Sequence, residues 1–227
     1  MLGYALAEWG PDGMVLSRMR LQDWRADYLC QNDFPFAAHG RTLNCDDYSY
    51  IEMDSRSGFE LLVRHLVERG YRRIAYIGAP AIFTLQADRY AGYCSGLAAA
   101  GIAFDPSLVL EGDLSRNGGY QAAQNLLAMD NPPTGIICIN DLTAVGAMRA
   151  ARERGLQVGR DVAVTGYDGT DDSEHSQPPL TTLRQPVYET SRQLVALLIE
   201  RISAGKMEKV QRIIQPELII RASTGGI

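Results

Sequence analysis

The sequence is poor in the residues that build metal and redox sites, with 4 cysteines and 3 histidines in 227 residues. Cys30, Cys45, Cys94 and Cys138 have no short paired spacing, so neither a zinc knuckle nor a CxxC redox pair can be drawn. Reduced thiols in a cytosolic protein are the expectation that follows. His39, His65 and His175 each stand apart from a second ligand at helical spacing, and neither a metal nor a cofactor is expected. Positive charge is also scarce: 22 Lys and Arg against 27 Asp and Glu leave a net charge of -5. That balance gives no field for phosphate backbones and argues against a DNA-contacting surface within these residues. Long apolar runs are missing too. A membrane span needs roughly 20 of them in a row, and the strongest stretches, 135–139 and 194–199, are far shorter. The first residues lack the basic start, apolar middle and small-residue cleavage site of a secretory signal, so no export is expected. A Walker loop, GxGxxG, HExxH, internal repeats and low-complexity linkers are all absent from the sequence.

What is present is a globular α/β pattern, in a chain 46% hydrophobic. From Arg72 onward short β-branched runs alternate with amphipathic stretches, the signature of a parallel sheet covered on both faces. Strands are predicted at 73–78, 108–110, 135–139 and 162–165. Ser115 can cap a helix running to Met129, and another opens at Asp141 or Leu142 and stops at Gly155. Upstream, strands at 13–17 and 35–40 flank a helix near 24–29, and a helix over 55–69 ends before Gly70. A late helix follows Pro186 and ends at Gly205, with Leu194, Val195, Leu198 and Ile202 as a stripe in need of a partner. Two or three strands before residue 72 make a small first sheet with an uncovered edge, which predicts a chain that natively begins earlier.

Ligands of open α/β sheets sit beyond the carboxyl ends of the strands. Two segments lie there. Gly166-Tyr167-Asp168-Gly169-Thr170-Asp171-Asp172 follows one strand and Asn140-Asp141 another. A solvated Asp/Gly turn and an ordinary N-cap are the competing structural readings. Arg89, placed in the first turn of a helix where the dipole disfavours it, calls for a specific partner. Gly92-Tyr93-Cys94-Ser95-Gly96 has the spacing of a nucleophile elbow but falls inside a helix. Asp168 and His175 lack the further groups of a catalytic set, so binding rather than catalysis is expected and the chain is read as not an enzyme.

Taken in order, Asp54-Ser55-Arg56-Ser57-Gly58, Arg89-Tyr90-Ala91-Gly92, Asn140-Asp141-Leu142-Thr143-Ala144-Val145-Gly146, Gly166-Tyr167-Asp168 and Pro178-Pro179-Leu180-Thr181-Thr182 closely resemble the lactose/galactose repressor family of bacterial transcription regulators, nearly end to end. The resemblance implies a periplasmic-binding-protein-like α/β fold of two interleaved parallel-sheet lobes. The first would hold residues 1–71 and 186–206 and be incomplete here; the second would hold 72–185 and 207–227. It implies a small effector, most simply a sugar, in the cleft between lobes, a cytoplasmic homodimer, and operator DNA bound through a helix-turn-helix absent from this chain. Effector binding would shift the population of lobe orientations and thereby repression. Among site residues it implies Arg89, Asn140 and Asp168 as hydrogen-bonding partners of the effector, Gln185 at the hinge side, and Phe83 and Leu85 as pocket lining. Leu114 stands where some members carry an aromatic residue. His39 and Arg41, at a strand end, are weaker candidates. The alternative within the same fold is the periplasmic sugar-binding protein of a transporter.

Overall fold

In the computed structural model, which describes residues 10–205 and 208–225, short strands and helices alternate. The chain runs through β1 (Met14–Leu16), α1 (Trp24–Gln31), β2 (Phe36–His39), β3 (Ser49–Met53) and α2 (Ser55–Glu68). Next come β4 (Ile74–Gly78), α3 (Thr84–Ala99), β5 (Val109–Glu111), α4 (Arg116–Leu127), β6 (Gly135–Cys138), α5 (Asp141–Glu153) and β7 (Ala163–Asp168). It closes with α6 (Asp171–His175), β8 (Thr181–Arg184), α7 (Val187–Ala204), β9 (Gln211–Ile214) and β10 (Glu217–Ile219). Side chains start the helices where the sequence supplies caps: the Asp54 carboxylate accepts from Ser57 N at 3.0 Å and Ser115 Oγ from Gly118 N at 3.0 Å. Gly155 and Gly205, at φ 77° and 72°, follow the ends of α5 and α7 in a conformation that other residues avoid.

The described chain forms two units. The first takes the chain through Met53, together with Ile82–Leu85 and Pro186–Ile214. Its sheet has the order β1-β2-β3-β9, all parallel. Alternation along β2 divides the core: Phe36 and Ala38 pack with Leu16, Ala26, Leu29 and Tyr48, while Ala37 faces Ile51 and Leu194 of α7. Of the predicted α7 stripe, Leu194 is buried and Leu198 packs against that core, whereas Val195 and Ile202 remain 48% and 39% exposed. Residues 82–85 are tied to this unit through main-chain bonds, Leu21 N to Ile82 O at 2.9 Å and Thr84 N to Met19 O at 3.1 Å.

The second unit comprises Asp54–Ala81, Gln86–Gln185 and the chain from Gln215. Its sheet order is β10-β8-β7-β6-β4-β5, with only β10 antiparallel among the described strands. Here too the period of two sorts the faces. Ala75 and Ile77 pack with α4 and α5, while Tyr76 meets Phe59 of α2 and Tyr93 of α3. Helices α4 and α5 approach so closely that a Cβ on Gly146 would lie 2.0 Å from Arg116 O, and one on Gly119 2.1 Å from Thr143 O.

Three expectations are corrected. The lobe boundary falls at 53/54 rather than near 71, because Phe59 of α2 stacks on Tyr167 and edges Tyr76, both in the second sheet. Residues 211–214 belong to the first unit rather than the second, because β9 pairs with β3; with β9 the first sheet has four strands among the described residues, where two or three were expected. And Cys30 and Cys45, 15 positions apart, are joined by a disulfide rather than reduced. What brings them together is the buried Asp23, whose N–H donates to Thr42 Oγ1 and Asn44 Oδ1, each at 3.0 Å, folding the loop after β2 back over the start of α1. Of the other two, Cys138 is buried and its thiol is pushed well up by desolvation, leaving it unreactive.

Two stability predictions follow from this packing. Gly146→Ala has to push α4 and α5 apart against backbone, and should lower the free energy of urea unfolding by about 2 kcal/mol or more; an unchanged midpoint would contradict the close crossing. His65, buried and bonded through Nε2 to Thr224 Oγ1 at 2.9 Å, has its pKa lowered from 6.5 by burial first and Arg69 second. Its neutral form therefore belongs to the folded state, so its contribution is complete above pH 6.5 and is lost as pH falls through the folded value. Thermal melts of the wild type and His65→Gln between pH 8 and 5 should show a shallower acid decline in the variant, and parallel profiles would refute it.

Candidate functional site

Parallel strands deliver their carboxyl ends to one side of the second sheet, and five of the sequence-predicted residues gather on the segments that leave it. Arg89 lies in the second turn of α3, not the first, since the helix starts at Thr84. Its partner is aromatic: the guanidinium carbon sits 3.7 Å from the centre of the Tyr167 ring and 5.9 Å from that of Phe59. Nη1 donates to Ile139 O at 2.5 Å, directly after β6. The side chain is 6% exposed, and its buried Nε–H has no protein acceptor.

Asn140 realises its structural reading in full. Its Oδ1 caps α5 by accepting from Thr143 N at 2.9 Å, and its Nδ2 donates to Leu114 O at 3.2 Å. The second bond fixes the loop after β5, where Asp113 turns the chain by accepting from Ser115 N and Oγ at 3.0 and 2.6 Å. Those bonds hold the Asp113 carboxyl below the usual carboxylate range. Leu114 sits at φ 67°, an uncommon value for a side chain of its kind.

Asp168 is the last residue of β7 rather than part of a loop, and its φ is 125°. Its Oδ1 accepts from Gln185 Nε2 at 2.6 Å and its carbonyl from Gln185 N at 3.1 Å, so Gln185, the residue expected at the hinge side, is bonded twice to Asp168. His175, considered as a base for Asp168, lies exposed in the last turn of α6. His39, Phe83 and Leu85 belong to the first unit. His39 ends β2 in register with Ile51, Arg41 pairs with Glu52, Phe83 bridges Arg20, and Leu85 lies in the first turn of α3, not in a loop. Among the described residues no group of three or more His, Cys, Asp or Glu is placed to hold a metal ion.

Two residues on which this geometry depends lie in segments named from the sequence but had no role of their own there. Tyr167, whose neighbour Asp168 points to the opposite face of β7, supplies the platform for Arg89 and is bonded to Ser55 Oγ at 3.2 Å. Asp141, fully buried, accepts from Thr170 N at 2.8 Å and Thr170 Oγ1 at 3.0 Å with one oxygen, and from Thr182 Oγ1 at 2.6 Å with the other. Nothing in the sequence separates such an aspartate from a solvated residue of a helix first turn.

Burial raises the Asp141 pKa from 3.8, against the lowering effect of its hydrogen bonds. A raised folded value means that the fold favours the protonated form, so this group's contribution is complete below pH 3.8 and is lost as pH rises through the folded pKa. Asp141→Asn keeps an oxygen for Thr170 and offers Thr182 Oγ1 a donor. It should remove that pH-dependent loss while retaining the fold. Asp141→Ala leaves buried donors without an acceptor and should cost at least about 2 kcal/mol. Urea unfolding of both variants at pH 5 and pH 8 checks this, and equal losses for Asn and Ala would show that the three bonds do not matter.

The chain matches the periplasmic binding protein-like domain family over residues 63–224. It is 33% identical to the HTH-type transcriptional regulator CelR of Thermobifida fusca over 98% of this chain and 66% of that protein. With the HTH-type transcriptional repressor CytR of Escherichia coli K12 it shares 37% identity over 78% of this chain and 52% of the repressor. The chain thus spans between about half and two thirds of the length of these curated relatives. Among solved structures, a transcriptional regulator CelR–cellobiose complex superposes with a TM-score of 0.91 at 32% identity, covering 98% of this chain and 68% of that one. The lac repressor dimer bound to operator and the anti-inducer ONPF gives 0.83 at 30% identity, covering 98% and 77%. The family match, the relatives and the superposed structures agree: this chain belongs to the LacI family of transcriptional regulators, with a periplasmic-binding-protein-like α/β fold.

Proposed function

We propose that this chain is the effector-binding core of a cytoplasmic transcription regulator that takes a small carbohydrate at the strand ends of the second unit. The observation that carries the reading is Arg89. A buried guanidinium held flat on Tyr167 and anchored to Ile139 O, with its Nε–H unpartnered, is a preorganised donor in want of an acceptor. Asp168 supplies the complementary acceptor, its carboxylate steadied by Gln185. A planar fork of donors with a carboxylate suits adjacent hydroxyls of a sugar. Asn140 keeps one donor and one lone pair beyond its two structural bonds and so can meet a hydroxyl from either side. The family resemblance adds Leu114, Phe83, Leu85 and His39 to the proposed contact set.

The relatives' names support regulation rather than transport or turnover, and Asp168 is engaged by an amide rather than by a base. In the whole protein, the ligand would bias the conformational equilibrium of the core. A homodimer would pass that bias to operator DNA through a helix-turn-helix outside this chain.

A carbohydrate thermal-shift screen tests the site. A bound effector at a hundred times its Kd stabilises by about 2.7 kcal/mol, and Arg89→Ala and Asp168→Ala should each abolish that gain. Undiminished stabilisation in both variants would remove them from the site.

A further inference from the structure

We infer that the second unit carries a further ligand subsite beside Arg89: a hollow of about 400 Å3 at the carboxyl ends of β4 and β5, which takes a second hydroxylated ring of the ligand on the Gln86 carboxamide. The inference rests on the carbohydrate reading of the neighbouring site.

Ala79, Ala81, Tyr90 and Val109 give the hollow apolar walls, and Gln86 and Glu111 are its polar groups. That mixture of mainly apolar lining with a few placed polar atoms is the composition of small-molecule sites. The Gln86 amide is not a freely turning surface group. Its Oε1 accepts from Tyr76 Oη and from Ala79 N, both at 2.8 Å, and the Tyr76 side chain is fully buried. Only the oxygen of a carboxamide can take two donors, so the orientation of the amide is fixed and Nε2 remains as the group that Gln86 offers to a ligand. Gly78 makes room for this arrangement: a Cβ there would lie 2.7 Å from Oε1 and 3.0 Å from Nε2.

The hollow thus presents a preoriented donor in Gln86, a carboxylate acceptor in Glu111, and apolar wall between them. A pyranose ring has the matching inventory: hydroxyls on its edge and C–H groups on its faces. Its position makes it an extension of the first site rather than a separate one. Gln86 and Arg89 are three residues apart on α3 and so lie on neighbouring positions of one helix face. Glu111 opens the loop whose Leu114 carbonyl is held by Asn140. A ligand with one ring at Arg89 and Asp168 reaches the hollow by growing toward β5.

Calorimetric titration of the full chain with D-glucose, D-galactose, D-ribose, cellobiose, maltose and lactose tests this, using the wild type, Gln86→Glu and Ala81→Trp. Glutamate at 86 retains an oxygen for Tyr76 and Ala79 but turns the Nε2 donor into an acceptor. Tryptophan at 81 fills the hollow and leaves residue 86 itself unchanged, and decides the matter if the first variant does not fold. Expected is a disaccharide that binds more tightly than its component monosaccharides, with that advantage reduced about tenfold in both variants, the worth of one buried hydrogen bond. Monosaccharide binding with no disaccharide advantage in the wild type, or an advantage that survives both substitutions, overturns the subsite and leaves the first site standing. Failure of every sugar to bind overturns the carbohydrate reading and the subsite with it.

Discussion

A buried carboxylate surrounded by donors organises the functional end of the second unit. Parallel strands end on one side of their sheet, and the segments beyond those ends receive no ladder hydrogen bonds, so something else must hold them. Asp141 does this for the connection after β7, through Thr170, and for β8, through Thr182. The preceding residue, Asn140, does it for the loop after β5. Two consecutive side chains at one helix start therefore fix three segments against each other. Burial works against the charge, as the raised pKa of Asp141 records, while the N-terminal end of α5 and three hydrogen bonds work in its favour. A leucine or alanine there would avoid the desolvation cost and lose the register of the site.

Arg89 depends on a longer chain of support. Taking a guanidinium out of water is costly unless charge and hydrogen bonds are provided, and here the face of Tyr167 and the carbonyl of Ile139 provide them. Tyr167 is in turn stacked by Phe59 and held at its hydroxyl by Ser55, both on α2. Helix α3, which carries Arg89, presses against α2 at Gly92, where a Cβ would lie 2.2 Å from Arg56 O. This explains physically why α2 belongs to the second unit: its aromatic face is part of the foundation of the arginine. A glycine, a serine and a phenylalanine are thus positioning residues for one side chain.

Much of this was legible in the sequence, and the limits were local. The strand–helix alternation, the cap at Ser115 and the stops at Gly155 and Gly205 follow from rules that act within a few residues. The allocation of α2 and β9 to units could not be read in that way, because Phe59 finds Tyr167 and β9 finds β3 across more than a hundred residues. The same holds for the bond between Cys30 and Cys45, which depends on a loop folded by Asp23 and not on spacing. Within the site, Arg89 drew attention through a first-turn placement that the structure moves to the second turn, while Tyr167 and Asp141 carried no individual signal, since an aromatic in a strand and an aspartate in a first turn are each ordinary. Gln86 had no sequence signal at all; its significance comes from the two donors that converge on one oxygen.

Backbone conformation bears on the proposed site as well. Leu114 and Asp168 hold φ values of 67° and 125°, a region that costs a residue with a side chain about 1–3 kcal/mol. Glycine would occupy either position without that cost, and the chain does place glycine at Gly169, next to Asp168, where φ is 73°. If the two positions served only to turn the chain, nothing would favour the bulkier residues. A side chain kept against its own backbone preference must contribute something that glycine lacks. For Asp168 that contribution is a carboxylate, steadied by Gln185; for Leu114, whose carbonyl Asn140 holds, it is an apolar side chain. Asp168 ends β7 and Leu114 lies in the loop after β5, on the side of the sheet where the buried Arg89 Nε–H lacks a protein acceptor. Strain, an unpartnered donor and a steadied carboxylate on the strand ends of one sheet are together what a preorganised ligand site requires.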